Sequence, residues 1–242
     1  MRIGEDYPLI EFEMFGLDLL EPNAIIGDSI LCITALILAS KVHKMKPEST
    51  FFKYWKIFFI LFGFSFFLGG IGHTFYNYLG VPGKYPGWYL GILAVYFVEQ
   101  AAISIYPKEE SKKLFKRLSG LKLLLALSAA TLVFALVDLS IDPSVGLRVP
   151  SANTFIGFFF ALGLIGSKYI KLYSPGFKFH VYSLFILIPS GLFQVFKISI
   201  APWFDRNDLS HVFLWLSLFF YFWGINTYQK SLLKEKGYSR AV

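Results

Sequence analysis

Seven stretches of this chain, 23–42, 54–76, 87–106, 121–139, 152–169, 181–203 and 209–229, are each long and apolar enough to cross about 30 Å of hydrocarbon. Turn or helix-start residues separate them: Pro47-Glu48-Ser49, Pro82-Gly83, Pro107, Asp142-Pro143-Ser144, Ser174-Pro175-Gly176 and Asp205-Arg206-Asn207. Inside lipid every backbone N–H and C=O must be paired within the protein, which leaves only helices and closed barrels. The stretches show no strict two-residue alternation, so the barrel fails. The pattern predicts an all-α, polytopic membrane protein, a seven-helix bundle. Composition agrees: 16% of residues are charged and mean hydropathy is +0.56, where soluble domains carry about a quarter charged residues. Seven spans with short loops use up the 242 residues and leave no room for a soluble domain.

Charge placement sets the expected orientation. Of 23 lysines and arginines, 18 fall in four places: Lys41 to Lys56, Lys108 to Lys122, Lys168 to Lys178, and Lys230 to Arg240. Counted by crossings, all four lie on one side; the other keeps Arg2, Lys84, Arg148, Lys197 and Arg206. The positive-inside rule then puts the C-terminus in the cytoplasm and the N-terminus outside. The net charge of +7 therefore reads as topological anchors touching anionic lipid head groups, not as a nucleic-acid surface. Three regions follow: an acidic extracytoplasmic segment 1–22, the transmembrane domain 23–229 and a basic cytoplasmic tail 230–242. The first region lacks a basic-then-apolar pattern, so no cleaved signal peptide is expected. With Cys32 the only cysteine, neither a disulfide framework nor a thiolate metal cluster can form.

Two stretches carry chemistry. Gly69-Gly70-Ile71-Gly72-His73-Thr74 ends the second apolar run, and Asn207-Asp208-Leu209-Ser210-His211 opens the last. In the expected topology both histidines reach the outer side at similar depth. Asn207 and His211 share a helical face, and Asp208 neighbours both. Ionisable groups at membrane depth usually face the bundle interior and often mark function. The three glycines also permit close helix approach, so His73 reads equally as a packing-face residue with one interhelical hydrogen bond. Asp138, Asn153 and Lys197 read as wet helix ends, and His43 and His180 as interfacial. Glu99, deep in the third segment without an obvious basic partner, reads as a neutral glutamic acid bonded to another helix. Pro189 should kink the sixth segment.

This constellation resembles the superfamily of alkaline ceramidases and adiponectin/progestin-type receptors in its topology and its few polar steps. The resemblance implies a zinc site in which His73 is the helix-2 ligand and His211 the second helix-7 ligand. Asn207 stands where another histidine belongs, and Gly69 where a serine belongs. The third segment begins Gly87-Trp88-Tyr89 and has no aspartate at its outer end. Asp208 or Asp138 would complete a two-histidine, one-carboxylate set. A metal-bound water would then attack a lipid amide or ester carbonyl. The segment Asp18-Leu19-Leu20-Glu21-Pro22-Asn23, with Asp28 beyond, resembles the acidic stretch through which alkaline ceramidases hold calcium, so Asp18, Glu21 and Asp28 are its expected ligands. The other class is a non-enzymatic lipid-binding sensor or membrane-complex subunit whose histidines tie helices together. A retinal protein is excluded, because 211–229 contains no lysine for a Schiff base. A transporter working through Glu99 would need a continuous polar path, and no internal repeat supports one.

Overall fold

The computed structural model describes residues 1–45 and 49–235. Lys46, Pro47 and Glu48 of the first break, and Lys236 and Arg240 of the basic tail, lie outside the described residues. Helix takes up 79% of the described residues, so the fold class is all-α. The long helices are α1 (Pro22–His43), α2 (Thr50–Thr74), α4 (Tyr85–Ser104), α5 (Glu109–Leu136), α6 (Ser144–Phe158), α8 (Lys178–Val195) and α9 (Arg206–Glu235). The four-residue α3 (Tyr76–Leu79) follows α2, and α7 (Gly166–Leu172) continues α6 through a π-helical stretch, Phe159–Ile165. Six helical segments are long and apolar enough to cross a membrane: α1, α2, α5, Ser144–Leu172, Pro175–Val195 and α9. This is a multi-pass membrane architecture. The remaining long helix, α4, packs against α2, α5 and α6 in the interior.

Why the helices sit so close is readable at their small residues. Gly63 of α2 faces the Cys32 backbone and Ala35 of α1, while Gly87 of α4 faces the Ser65 carbonyl and Gly69 of α2. A side chain at either glycine would force the backbones apart, and without a hydrophobic drive between helices in lipid such packing is what holds them. Toward the other end α2 fills the centre with Phe51, Phe52, Trp55, Phe58 and Phe59, all buried, against Phe177, Tyr221 and Tyr228. Lipid faces are plain too: α1 exposes Ile26, Ile30, Ile33 and Ile37, one stripe at helical spacing.

Several boundaries differ from expectation. Helix α5 begins at Glu109, a dozen residues before the apolar run, so most of the basic stretch Lys108 to Lys122 is helix rather than loop. Helix α8 runs through Pro189 and stops at Val195, leaving Lys197 and Trp203 in the connection to α9. The acidic N-terminal segment is ordered. Strand β1 (Arg2–Ile3) pairs antiparallel with β4 (Ile198–Ser199), and β2 (Glu11–Met14) with β3 (Leu17–Leu20) as a hairpin. Asp6 reaches Arg206 Nε at 3.0 Å, and Asp18 N donates to Tyr78 Oη at 2.9 Å. The segment is thus sewn across one end of the bundle, called the top below.

Candidate functional site at the top of the bundle

Helix α1 carries the site. Its first residues bring Glu21, Asn23 and Asp28 between the top ends of α2 and α9. Gly70 makes this possible: a Cβ there would lie 3.0 Å from Asp28 Cβ and 3.1 Å from Ile25 Cα, so only glycine lets α1 come this near. Asp28 Oδ1 then lies 2.9 Å from His211 Nδ1, close enough for an ion pair but not aligned as a hydrogen bond. The ring of Phe66 meets His211 edge-on at 5.0 Å. Asp208, one turn before His211, accepts from Asn23 Nδ2 at 2.7 Å and from Asp205 N at 3.1 Å.

The second histidine makes the same move on the other side of α1. His73 Nδ1 lies 2.7 Å from Glu21 Oε2, and Lys84 Nζ lies 3.4 Å from that nitrogen. With a carboxylate as its partner, Nδ1 carries the proton and donates, so Lys84 contributes charge rather than a bond. Glu21 sits at φ 49°, ψ 61°, a left-handed conformation rare outside glycine, and is held there by its N–H donating to Ile10 O and by His73. Burial alone pushes the Glu21 carboxyl up. The His73 hydrogen bond and the charges of His73, Lys84 and Arg206 together outweigh it, and Glu21 ends below its ordinary value. Burial pulls the Lys84 ammonium down and Arg206 adds to the pull, while Glu21 and Asp205 only partly restore it.

Three buried side-chain atoms on the top turns of α1 and α2 have no hydrogen-bond partner among the described residues: Asn23 Oδ1, Asp28 Oδ1 and Thr74 Oγ1. Buried polar atoms are nearly always paired, so three together ask for an explanation. A small cavity of about 10 Å³ lies beside Asn23, bounded also by Tyr7, Ile10, Glu21, Pro202 and Asp205.

The residues singled out from the sequence are therefore only partly brought together. Glu21, Asp28, His73, Asp208 and His211 share the top end. Asn207 turns away, accepting from Gln194 Nε2 at 3.0 Å and lying against Asp205. Asp138 is in the exposed turn after α5, where hydrogen bonds from the Ser140 hydroxyl and backbone hold its carboxyl below the usual range. Asp18 is on β3, its carbonyl accepting from Asn77 Nδ2. His73 and His211 pair with different carboxylates, and among the described residues no three His, Cys, Asp or Glu side chains gather around a common point.

Two inward-facing polar groups correct the sequence reading. Glu99 has a basic partner after all: Lys122 of α5 lies 2.7 Å from Glu99 Oε1. Lys122 also donates to Asn153 Oδ1 at 2.6 Å, so buried Asn153 is no wet helix end. Ser119 donates to Glu99 Oε2 and accepts from Gln100. Lys122 closes a run of charges that masks the start of α5 at Glu109, so it is a residue of the helix and not a loop anchor. His180 is likewise buried rather than interfacial, its ring 5.0 Å from Trp55 and Nε2 donating to Tyr221 O at 3.2 Å. Gly224 opposite leaves room for it.

Residues 24–230 match the family described as a family of unknown function, DUF6962. The chain belongs to that family. The match runs from the first turn of α1 to late α9 and takes in Asp28, His73, Asp208 and His211. No curated protein and no solved structure matches.

Proposed function

We propose that this member of the family is a seven-span membrane protein, with α4 as the seventh span, its N-terminus outside and its C-terminus cytoplasmic. Its outer polar cluster binds the head group of a lipid without hydrolysing it, and the protein acts as a sensor or membrane-complex subunit. The observation that carries this reading is a pair of unpartnered buried atoms, Asn23 Oδ1 and Thr74 Oγ1, beside an Asp28 carboxylate that meets His211 only as a misaligned ion pair. A head group with hydroxyl or amide N–H donors satisfies the two oxygens of Asn23 and Asp28. It also competes for the pairs that hold α1 to α2 and α9. A ligand shifts a conformational equilibrium only through such differential contacts.

The experiment is lipid retention: native mass spectrometry of the purified protein beside Asp28→Asn and Thr74→Val. Defined lipid adducts in the parent, lost at least tenfold in both variants while each stays folded, are expected. Equal retention in all three would sink the reading.

A second reading is metal-dependent hydrolysis of a lipid amide, which the resemblance to alkaline ceramidases implies. Its support is the placement of His73, His211 and Asp208 at one end, and it requires those donors to regroup. About one zinc per chain, lost in both His73→Ala and His211→Ala, would favour it over the first.

A further inference from the structure

The β2–β3 hairpin turns at Phe15-Gly16, with φ of 55° and 74°. Two consecutive left-handed residues make the tight turn that suits hairpin twist, and asparagine, aspartate or glycine is the usual first residue. Phenylalanine is sterically disfavoured there. Its side chain supplies no internal packing in return, for Phe15 is 92% exposed. An aromatic kept in a strained position and presented to the outside is best explained by what it touches. Met14 and Leu17 beside it are exposed too.

The base of the hairpin is fixed. Asp18 bonds to Asn77 and Tyr78 of α3, Glu21 N–H closes on Ile10 O, and Leu19 and Leu20 are buried. The finger is therefore rigid and stands where α1 begins and α2 ends. Near the base of the finger α3 exposes Tyr78 and Leu79, and the isoleucine stripe of α1 starts at Ile26, five residues past Glu21. Glu11, Glu13 and Asp18 lie behind the tip.

We propose that the tip, Met14-Phe15-Gly16-Leu17, inserts into the head-group region of the bilayer leaflet next to the start of α1, as a membrane-contacting finger. The nearest parts of α1 and α3 also expose apolar side chains, Ile26, Tyr78 and Leu79, and α1 is long and apolar enough to cross a membrane, which points to lipid as the occupant. Aromatic side chains favour this interfacial layer. The acidic residues behind the tip disfavour an anionic leaflet, so zwitterionic lipid is the matching surface. The inference needs only that α1 and α2 span, not which side is outside.

Cys32, the one native cysteine, is buried, which makes single-site labelling clean. Phe15→Cys and Leu17→Cys, each in a Cys32→Ala background, would carry an NBD fluorophore in phosphatidylcholine vesicles, with Glu5→Cys as a reference in the same exposed segment. Insertion predicts blue-shifted emission at 15 and 17 but not at 5, and at least twofold quenching by lipids spin-labelled near the head group. Water-like emission at 15 and 17, unaffected by those lipids, would overturn the proposal. So would a blue shift that no lipid quencher reaches and that grows with protein density, since the tip would then sit against a second copy.

Discussion

The top cluster and the Glu99–Lys122 network are both polar groups placed in an apolar bundle, yet they are built in opposite ways. In the network Lys122 holds Glu99 and Asn153, Ser119 serves Glu99 and Gln100, and no buried side-chain atom is left without a partner among the described residues. At the top, Asn23 Oδ1 and Thr74 Oγ1 have no hydrogen-bond partner, and Asp28 Oδ1 has only its ion pair with His211. Saturation is what a structural lock between α4, α5 and α6 needs, because a half-satisfied network at low dielectric is costly. Incompleteness is what a binding site needs, because a ligand must gain something by entering. This difference is what supports reading the first as architecture and the second as the proposed recognition site.

The hardest way to break this comparison is to unpair the network. Lys122→Met leaves a buried carboxylate unbalanced, and should lower stability by about 3–5 kcal/mol, read as reversible unfolding in mixed micelles. The double variant Glu99→Leu/Lys122→Leu should recover most of that loss. If it does not, the network does more than lock helices.

At the top the corresponding change is smaller, since the site is already incomplete. Asp28→Ala strands His211 and should cost about 2–3 kcal/mol, while Gly70→Ala should cost about 1–2 kcal/mol by pushing α1 away from α2 with Asp28 intact. Both should weaken lipid retention; Gly70→Ala leaving it unchanged would mean that the α1–α2 distance does not shape the site.

How much of this was written in the sequence differs between the two regions. Helices came through because each must cross lipid with its backbone paired, a constraint that acts on every residue of a span. His73 and His211 at one end followed from counting crossings. Their partners did not: Glu21 and Asp28 read as part of an acidic run, and only the Gly70 contact with α1 makes them histidine partners. Lys122 was hidden by its neighbours, since Lys108 to Arg117 is a solvated basic run and the helix continues through it into the bundle. A lysine at the start of an apolar run, five residues past Arg117, with a lone carboxyl in the adjacent segment, is the signal available. The hairpin escaped because charge alternation in Glu11-Phe12-Glu13-Met14 was weighed as acidity rather than as a strand period.

The pH dependence of stability offers a finer test. Glu21 titrates below the ordinary 4.5 when folded, so the folded state favours its ionised form. The stabilisation is present above the usual carboxylate range and is lost as pH falls through the lowered value. Glu21→Gln should flatten this acid limb and cost about 1 kcal/mol at neutral pH, with little change in slope elsewhere. An unchanged acid limb in the variant would mean that the His73 pair contributes nothing to holding α1.

The smallest effect is expected where strain rather than charge is at stake. Phe15→Gly removes a bulky residue from φ 55°, and should stabilise the isolated protein in detergent by roughly 1 kcal/mol, the usual left-handed penalty, partly offset by the extra freedom glycine gives the unfolded chain. In phosphatidylcholine bilayers the same change removes the aromatic contact with lipid, so the gain should shrink or reverse. A gain of equal size in micelle and bilayer would show that the tip touches nothing. A reversal would show that the strained turn persists for what lies outside the chain, the same logic by which the unpartnered atoms at the top are read as a place for a ligand.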